Sequence, residues 1–282
     1  MIRLITVIGH GTNLLPHFIQ HYQQIVDEIN IVVYESDKFP LLGNEISNII
    51  NGYNNVKIVR VHKDRVFDWD KVTALYNFGK STYPNDWWVV ADIDEFHVYP
   101  NFVKSITEEC DRNGWDIVRG GFIDRIGPDG EFVELEEDKW IWEQFPNAGF
   151  FRYPMSRANP NKICIMKGYV ELTSGQHYAK IDGQTTWKWQ GWNHPLINPH
   201  TFVQVHHFKW DKTSIERVKA VADNRQSYSF SNEYGVMYEN LRKSKFKIDL
   251  NRSEYYFELG LTQPEFNRYT NWDKLIKKIM SV

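Results

Sequence analysis

The chain has 282 residues, of which 42% are hydrophobic and 24% charged, with a formal net charge of −3. That length allows one large domain, or one domain with an appendage, around a sizeable core. The near-neutral balance excludes a nucleic-acid-binding surface spread over the whole molecule, and no run approaches the ~18 apolar residues that a membrane span needs.

The first half alternates strand and helix. Ile2–Ile8 reads as a strand, closed by the turn Gly9-His10-Gly11-Thr12, with Asn13 as a candidate cap for a helix over Leu15–Val26. A second strand, Ile29–Tyr34, ends in Glu35-Ser36-Asp37, and a helix over Leu42–Ile50 follows. Val56–Val61 is a third strand, and Phe67 or Asp68 opens a helix through Phe78. A fourth strand starts at Trp87, and a helix over Asn101–Arg112 leads to a strand over Asp116–Phe122. Such alternation implies a mostly parallel sheet flanked by helices. The chain contains neither G-x-G-x-x-G nor G-x-x-x-x-G-K-[ST], which excludes the dinucleotide and P-loop fingerprints.

Beyond Phe122 the pattern loosens. Residues 136–161 look irregular, Lys162–Met166 and Tyr169–Thr173 read as a hairpin around Lys167-Gly168, and Gly183–Pro199, with Trp187, Trp189 and Trp192, reads as loop. Phe202–His207 is a last strand, Thr213 or Ser214 caps a helix to Asn224, and the remainder looks helical. Cys110 and Cys164 have no paired spacing, so neither a disulfide framework nor a zinc signature is expected. The N-terminus is too quickly interrupted for a signal peptide, and a cytoplasmic protein is expected.

One stretch concentrates the chemistry. Trp87-Trp88-Val89-Val90-Ala91 is a short apolar run of the kind buried on both faces of a parallel sheet. It ends in Asp92, Asp94 and Glu95, at the strand end where open α/β sheets bind ligands. On a regular strand, Asp92 and Asp94 point to one side and Ile93 to the other. Two carboxylates on one side repel unless a cation lies between them. Mg²⁺ or Mn²⁺ suits oxygen ligands of this kind, completed by substrate phosphates.

Three stretches, Val90–Phe96 (VADIDEF), Phe122–Gly130 (FIDRIGPDG) with Trp142–Pro146 (WEQFP), and His206–Asp211 (HHFKWD), resemble the metal-dependent GT-A glycosyltransferases, in particular family-2-like proteins related to family 92. The resemblance covers about residues 1–225: a nucleotide-binding half over 1–100 and an acceptor half over 101–225. Residues 226–282 would be a helical C-terminal extension. It implies a nucleotide-sugar donor (a UDP- or GDP-sugar), a glycan or other hydroxyl acceptor, and Mn²⁺ or Mg²⁺. Asp94 is the first choice for metal ligation, Asp92 contacts the metal, its water or the ribose, and Glu95 supports them. A histidine from the last core strand completes the metal's coordination. His206 and His207 face opposite ways in a strand, and His207 is favoured.

The nucleotide is then expected against Gly9, His10 and Gly11, against Glu35, Ser36 and Asp37, and against the Lys63-Asp64-Arg65 loop. An inverting transferase also needs a carboxylate to deprotonate the acceptor hydroxyl. Candidates are Asp124, Glu143, Asp182 and Asp211, with Glu143 ahead of Asp124 because Trp142 and Phe145 would desolvate it. Lys162 and His177 could contact phosphates or acceptor. Two other readings fit the same residues. One is a metal-dependent nucleotidyltransferase or sugar-nucleotide hydrolase. The other is a non-catalytic carbohydrate-binding protein that uses the tryptophan-rich loop but leaves the acid cluster unexplained.

Overall fold

The computed structural model of the chain describes residues 1–181, 183–185, 193–224 and 230–282. The elements run β1 (Ile2–Ile8), α1 (Leu15–Tyr22), β2 (Glu28–Glu35), α2 (Leu42–Ile49), β3 (Val56–Lys63), α3 (Trp69–Ser81), β4 (Trp87–Val90), β5 (Glu95–Val98), α4 (Val103–Asn113) and β6 (Ile117–Ile126). They continue with α5 (Ile141–Gln144), β7 (Asn147–Gly149), α6 (Arg152–Ser156), β8 (Asn161–Lys167), β9 (Glu171–Leu172), β10 (Ala179–Ile181), β11 (Gln184–Thr185), β12 (Ile197–His207), α7 (Ser214–Asp223), α8 (Ser231–Lys243) and α9 (Trp272–Ile279). Packing divides the chain into two compact units, Met1–Gly120 with Asn161–Val203 and Gly121–Pro160 with Gln204–Val282.

β1 to β5 and β8 lie wholly in the first unit, in a sheet of order β3-β2-β1-β4-β8-β6-β12-β5. β1 pairs in parallel with β2 and β4, and β2 in parallel with β3. The architecture is mixed α/β with a mostly parallel central sheet flanked by helices. Every residue of β4 is buried, as a short apolar strand covered on both faces must be. On one side α3 sets Val72, Leu75 and Tyr76 against Ile5, Val7 and Val32. Asp68 opens α3 as the sequence suggests, its carboxylate accepting from the Asp70 and Lys71 amides at 2.9 and 3.4 Å.

Several boundaries differ from the sequence reading. Asn13 caps nothing; the chain enters α1 through a 3₁₀ turn at Thr12–Leu14, after Gly11 at φ 77°, with Pro16 in the first turn. β4 stops at Val90, and the chain reverses through Asp92-Ile93-Asp94 into β5, a strand hidden in the sequence because it follows the turn at once. Asp92 and Asp94 therefore sit in a turn closed by the Glu95 amide on the Asp92 carbonyl at 2.9 Å, not on one face of a regular strand. β12 begins at Ile197, five residues early, because Asn198-Pro199-His200 reads as a turn. There the Asn198 Oδ1 accepts from the His200 and Thr201 amides within the strand.

The expected hairpin over 162–173 does not form. β8 joins the central sheet antiparallel to β4, while β9 goes to a separate three-stranded sheet, β11-β10-β9. The chain between them is held elsewhere: the Gly168 and Tyr169 amides donate to the Asp86 and Pro84 carbonyls at 3.1 Å each, and Lys80 Nζ donates to the carbonyls of Gly168 and Val170. Trp187, Trp189, Trp192, Asp182 and Arg225 lie outside the described residues.

The second unit has its own core of Ile126, Phe132, Phe151, Met155, Trp210, Val218, Met237, Leu241, Ile248 and Tyr255. Residues 136–161, expected to be irregular, contain α5, β7 and α6. The chain after α8 is helical only in α9 and short 3₁₀ turns. It laces onto residues 130–150, with Ile248 donating to the Gly130 carbonyl, Phe150 to Tyr255, and Ala148 and Glu258 exchanging amide bonds.

Lys80 generates a pH prediction. Burial lowers its ammonium to about 8, below its value in the unfolded chain. The protonated form therefore costs stability below pH 8, and the cost lifts as pH rises from 8 to 10.5. Relative to Lys80→Met, the wild type should gain about 3 kcal/mol across that window. Urea unfolding of both proteins at pH 7.5, 9 and 10.5 measures it; parallel stability curves would contradict the assignment.

Candidate functional site

In the first unit the chemistry gathers at the carboxyl ends of β1, β2, β3 and β4. The turn after β4 lies beside the loop after β1, where a Cβ added to Gly11 would stand 3.9 Å from Ile93. Gly9 passes so close to the Phe67 ring that no side chain fits there. Phe67 in turn stands 4.9 Å from Tyr34, 4.8 Å from Trp69 and 6.1 Å from His10, centroid to centroid. The ends of β2 and β3 are tied by backbone bonds, Asp64 amide to Glu35 carbonyl at 3.0 Å and Asp37 amide to Arg65 carbonyl at 3.2 Å. Gly9, His10, Gly11, Asp37, Arg65 and Asp92 thus share one end of the sheet. Asp37 and Arg65 are exposed. Glu35 is also there but buried and committed, with one carboxylate oxygen on the Gly43 amide at 3.0 Å and the other on Lys63 at 2.9 Å. The Lys63 contact, with help from the Gly43 amide, outweighs the upward push of burial and holds its carboxyl below the ordinary range.

The acid turn is built around a lysine. Lys162, buried on β8, sets its ammonium 2.8 Å from Glu95 Oε1 and 3.4 Å from Asp92 Oδ2. It also donates to the Gly175 carbonyl at 2.9 Å and to Gln176 Oε1 at 2.7 Å. Burial pushes this ammonium down, but Asp92 and Glu95 outweigh it and hold it above the ordinary lysine value. The second oxygen of Asp92 accepts from Tyr76 Oη at 2.7 Å, and Glu95 Oε2 accepts from the Asp92 amide at 3.2 Å. Burial and Asp92 raise the Tyr76 phenol well above its usual value, so it stays a donor. Asp92 is 34% exposed and Asp94 half-buried, so both reach the surface of the turn. Among the described residues no group of three or more His, Cys, Asp or Glu could hold a metal ion by itself. The pair fits a cation held by one or two carboxylates and completed by phosphate and water; it does not fit an all-protein cage.

In the second unit, His207 meets Asp124. Its Nδ1 lies 3.5 Å from Asp124 Oδ1, and its ring stacks on Phe122 at 4.6 Å. Asp124 is buried and accepts from the Trp210 indole at 3.1 Å and from the Phe151 and Arg152 amides at 3.2 and 2.9 Å. A carboxylate this committed is poorly placed to take a substrate's proton. His206 faces the other way, against Trp142 at 5.0 Å. Glu143 is exposed although Trp142 and Phe145 are buried; its position on the outer side of the single-turn α5 removes the desolvation expected of it. Asp211 is spent at the start of α7, accepting from the Ser214 amide at 3.0 Å and Thr213 Oγ1 at 2.7 Å. His177 holds the Asn161 carbonyl through Nδ1 at 2.6 Å.

Sequence reasoning missed Tyr76, Gln176 and the aromatic group of Phe67, Trp69 and Tyr34, none of which carries a motif. For Lys162 a signal existed: a lysine opening the apolar run Ile163-Cys164-Ile165-Met166 needs an anion to be buried there.

No family model matches the chain, and no curated protein matches it in sequence. Among solved structures it is similar to a 4-diphosphocytidyl-2C-methyl-D-erythritol synthase from Anaerococcus prevotii, at 11% identity and a TM-score of 0.32, over 60% of this chain and 71% of that one. It is also similar to a protein from Bacillus anthracis described as a glucose-1-phosphate thymidylyltransferase, at 11% identity and a TM-score of 0.30, over 98% of this chain and 96% of that one. Likeness at this level sets neither family nor activity. No described helix is long and apolar enough to cross a membrane.

Lys162→Met leaves Asp92 and Glu95 without their shared cation. It should cost about 3–5 kcal/mol at pH 7, and less at pH 5, where Glu95, now buried beside a like charge, takes up a proton. Urea unfolding at both pH values measures the difference; an equal cost at both would contradict the shared-cation account.

Proposed function

We propose that the chain is a metal-dependent glycosyltransferase of GT-A type. It moves a sugar from a UDP- or GDP-sugar to a hydroxyl of a glycan or other acceptor, with inversion. The observation that carries this reading is the Asp92-Ile93-Asp94 turn at the carboxyl end of β4, braced by buried Lys162 and flanked by the glycine loop after β1. Residues 1–100 supply the nucleotide half, 101–225 the acceptor half, and 226–282 a C-terminal extension.

Asp94, with Asp92, would hold Mn²⁺ or Mg²⁺, which when bound supplies Lewis-acid stabilisation to the diphosphate leaving group. The remaining work falls to the chain's own residues. Gly9, His10 and Gly11 let backbone approach the nucleotide. Asp37 and Arg65 read its base or ribose from the loops beyond β2 and β3; Glu35, tied to Gly43 and Lys63, shapes that wall. His207, the further ligand that the resemblance implies, belongs to the second unit, and among the described residues no third His, Cys, Asp or Glu joins Asp92 and Asp94 around an ion. Glu143 takes the acceptor's proton: its carboxylate is exposed and has no side-chain partner among the described residues, whereas Asp124 is committed.

A panel of sugar nucleotides with Mn²⁺ tests the reading. Free nucleoside diphosphate together with a glycosylated acceptor is expected. Asp94→Asn should lower kcat/KM on the order of 10²–10³-fold with no loss of thermal stability. Release of pyrophosphate or nucleoside monophosphate would move the protein to nucleotidyl transfer or hydrolysis. Full turnover in Asp94→Asn would remove the acid turn from the mechanism.

A further inference from the structure

Lys209, just past the end of β12 in the second unit, is 7% exposed. Its ammonium donates to Tyr234 Oη of α8 at 2.8 Å and lies 4.5 Å from the Tyr234 ring centroid and 5.9 Å from that of Trp210. Among the described residues no carboxylate pairs with it. A buried ammonium has three donors to satisfy and rarely goes without an anion; one phenol oxygen and two ring faces leave it short. A second cation stands close by. Arg152, 9% exposed on α6, lies 5.3 Å from the Phe122 ring centroid and 3.4 Å from Glu233. Burial pushes the Tyr234 phenol up, yet Lys209 and Arg152 outweigh it and hold it below the ordinary tyrosine range, against the single opposing acid Glu233. The environment of Tyr234 Oη is therefore net positive. The cluster also adjoins His207, since Phe122 carries Arg152 over its ring and stacks on the imidazole.

We propose that Lys209 and Arg152, beside Tyr234, form an oxyanion-binding subsite for a carboxylate or phosphate group. Its use as the place where an acidic acceptor docks rests on the transferase reading; the subsite itself does not. The bland competitor is a strut, in which Lys209 merely pins α8 through Tyr234.

Thermal shift and calorimetry on the full chain, without donor or metal, separate the two. The probes are glucuronate, inorganic phosphate and, as a neutral control, glucose. Saturable stabilisation by glucuronate or phosphate, with none by glucose, is expected, and the stronger of the two anions identifies which source the subsite takes. Lys209→Met should weaken that binding at least about tenfold. Tyr234→Phe keeps the ammonium and should retain anion binding, which covers the case of a poorly folded Lys209→Met. No anion-specific shift in the wild type, or an equal shift in wild type and Lys209→Met, overturns the proposal. Either result leaves transfer to neutral acceptors untouched, so the subsite and the transferase reading fail separately.

Discussion

A single ammonium group holds the acid turn of the first unit in place. Among the described residues, oxygens of Glu95, Asp92, Gly175 and Gln176 surround Lys162 Nζ. Burying a carboxylate such as Glu95 without a cation costs several kcal/mol, so the turn could not close on itself without this lysine. With it, β4 can end abruptly at Val90, and β5 can begin at Glu95 with its first residue already neutralised. The same contact joins β8 to the turn, alongside the antiparallel pairing of β8 with β4.

That arrangement divides labour among three acids. Glu95 is internal and faces Lys162. Asp92 is shared, one oxygen toward Lys162 and the other toward Tyr76, with a third of its surface still open. Asp94, two residues on in the same turn, is half-buried. A cation arriving with a phosphate would meet a turn that is already rigid and partly compensated. Such preorganisation is what electrostatic stabilisation of a leaving group requires. In the second unit the acid is held by the chain itself: Asp124 accepts from three N–H donors, and the His207 ring stands beside it with Nδ1 3.5 Å away.

Much of this was legible in the sequence where local pattern and tertiary role agree. β1, α2, β3 and α3 stand within a residue or two of their expected bounds at most ends because their apolar periodicity is the periodicity of their burial. The acid cluster was legible for the same reason, a run of large apolar residues stopping at three carboxylates. What was not legible depended on partners far along the chain. β5 is invisible because its pairing, not its composition, makes it a strand. The hairpin over 162–173 failed because Gly168 and Tyr169 bond to the loop before β4 across more than eighty residues. Glu143 was expected to be desolvated by its sequence neighbours, but on a one-turn helix neighbours in sequence face different ways. Asp211, a candidate base in the sequence, is spent on the Thr213 hydroxyl and the Ser214 amide just before α7.

If the turn at Asp92–Asp94 receives a diphosphate through a divalent cation, nucleotide binding must depend on the metal. Calorimetric titration of the full chain with UDP and with GDP, each with and without Mn²⁺, tests it most directly. Binding of one nucleoside diphosphate that requires the metal and disappears in Asp94→Asn is the predicted result. No binding of either, or binding indifferent to both the metal and Asp94, would contradict it.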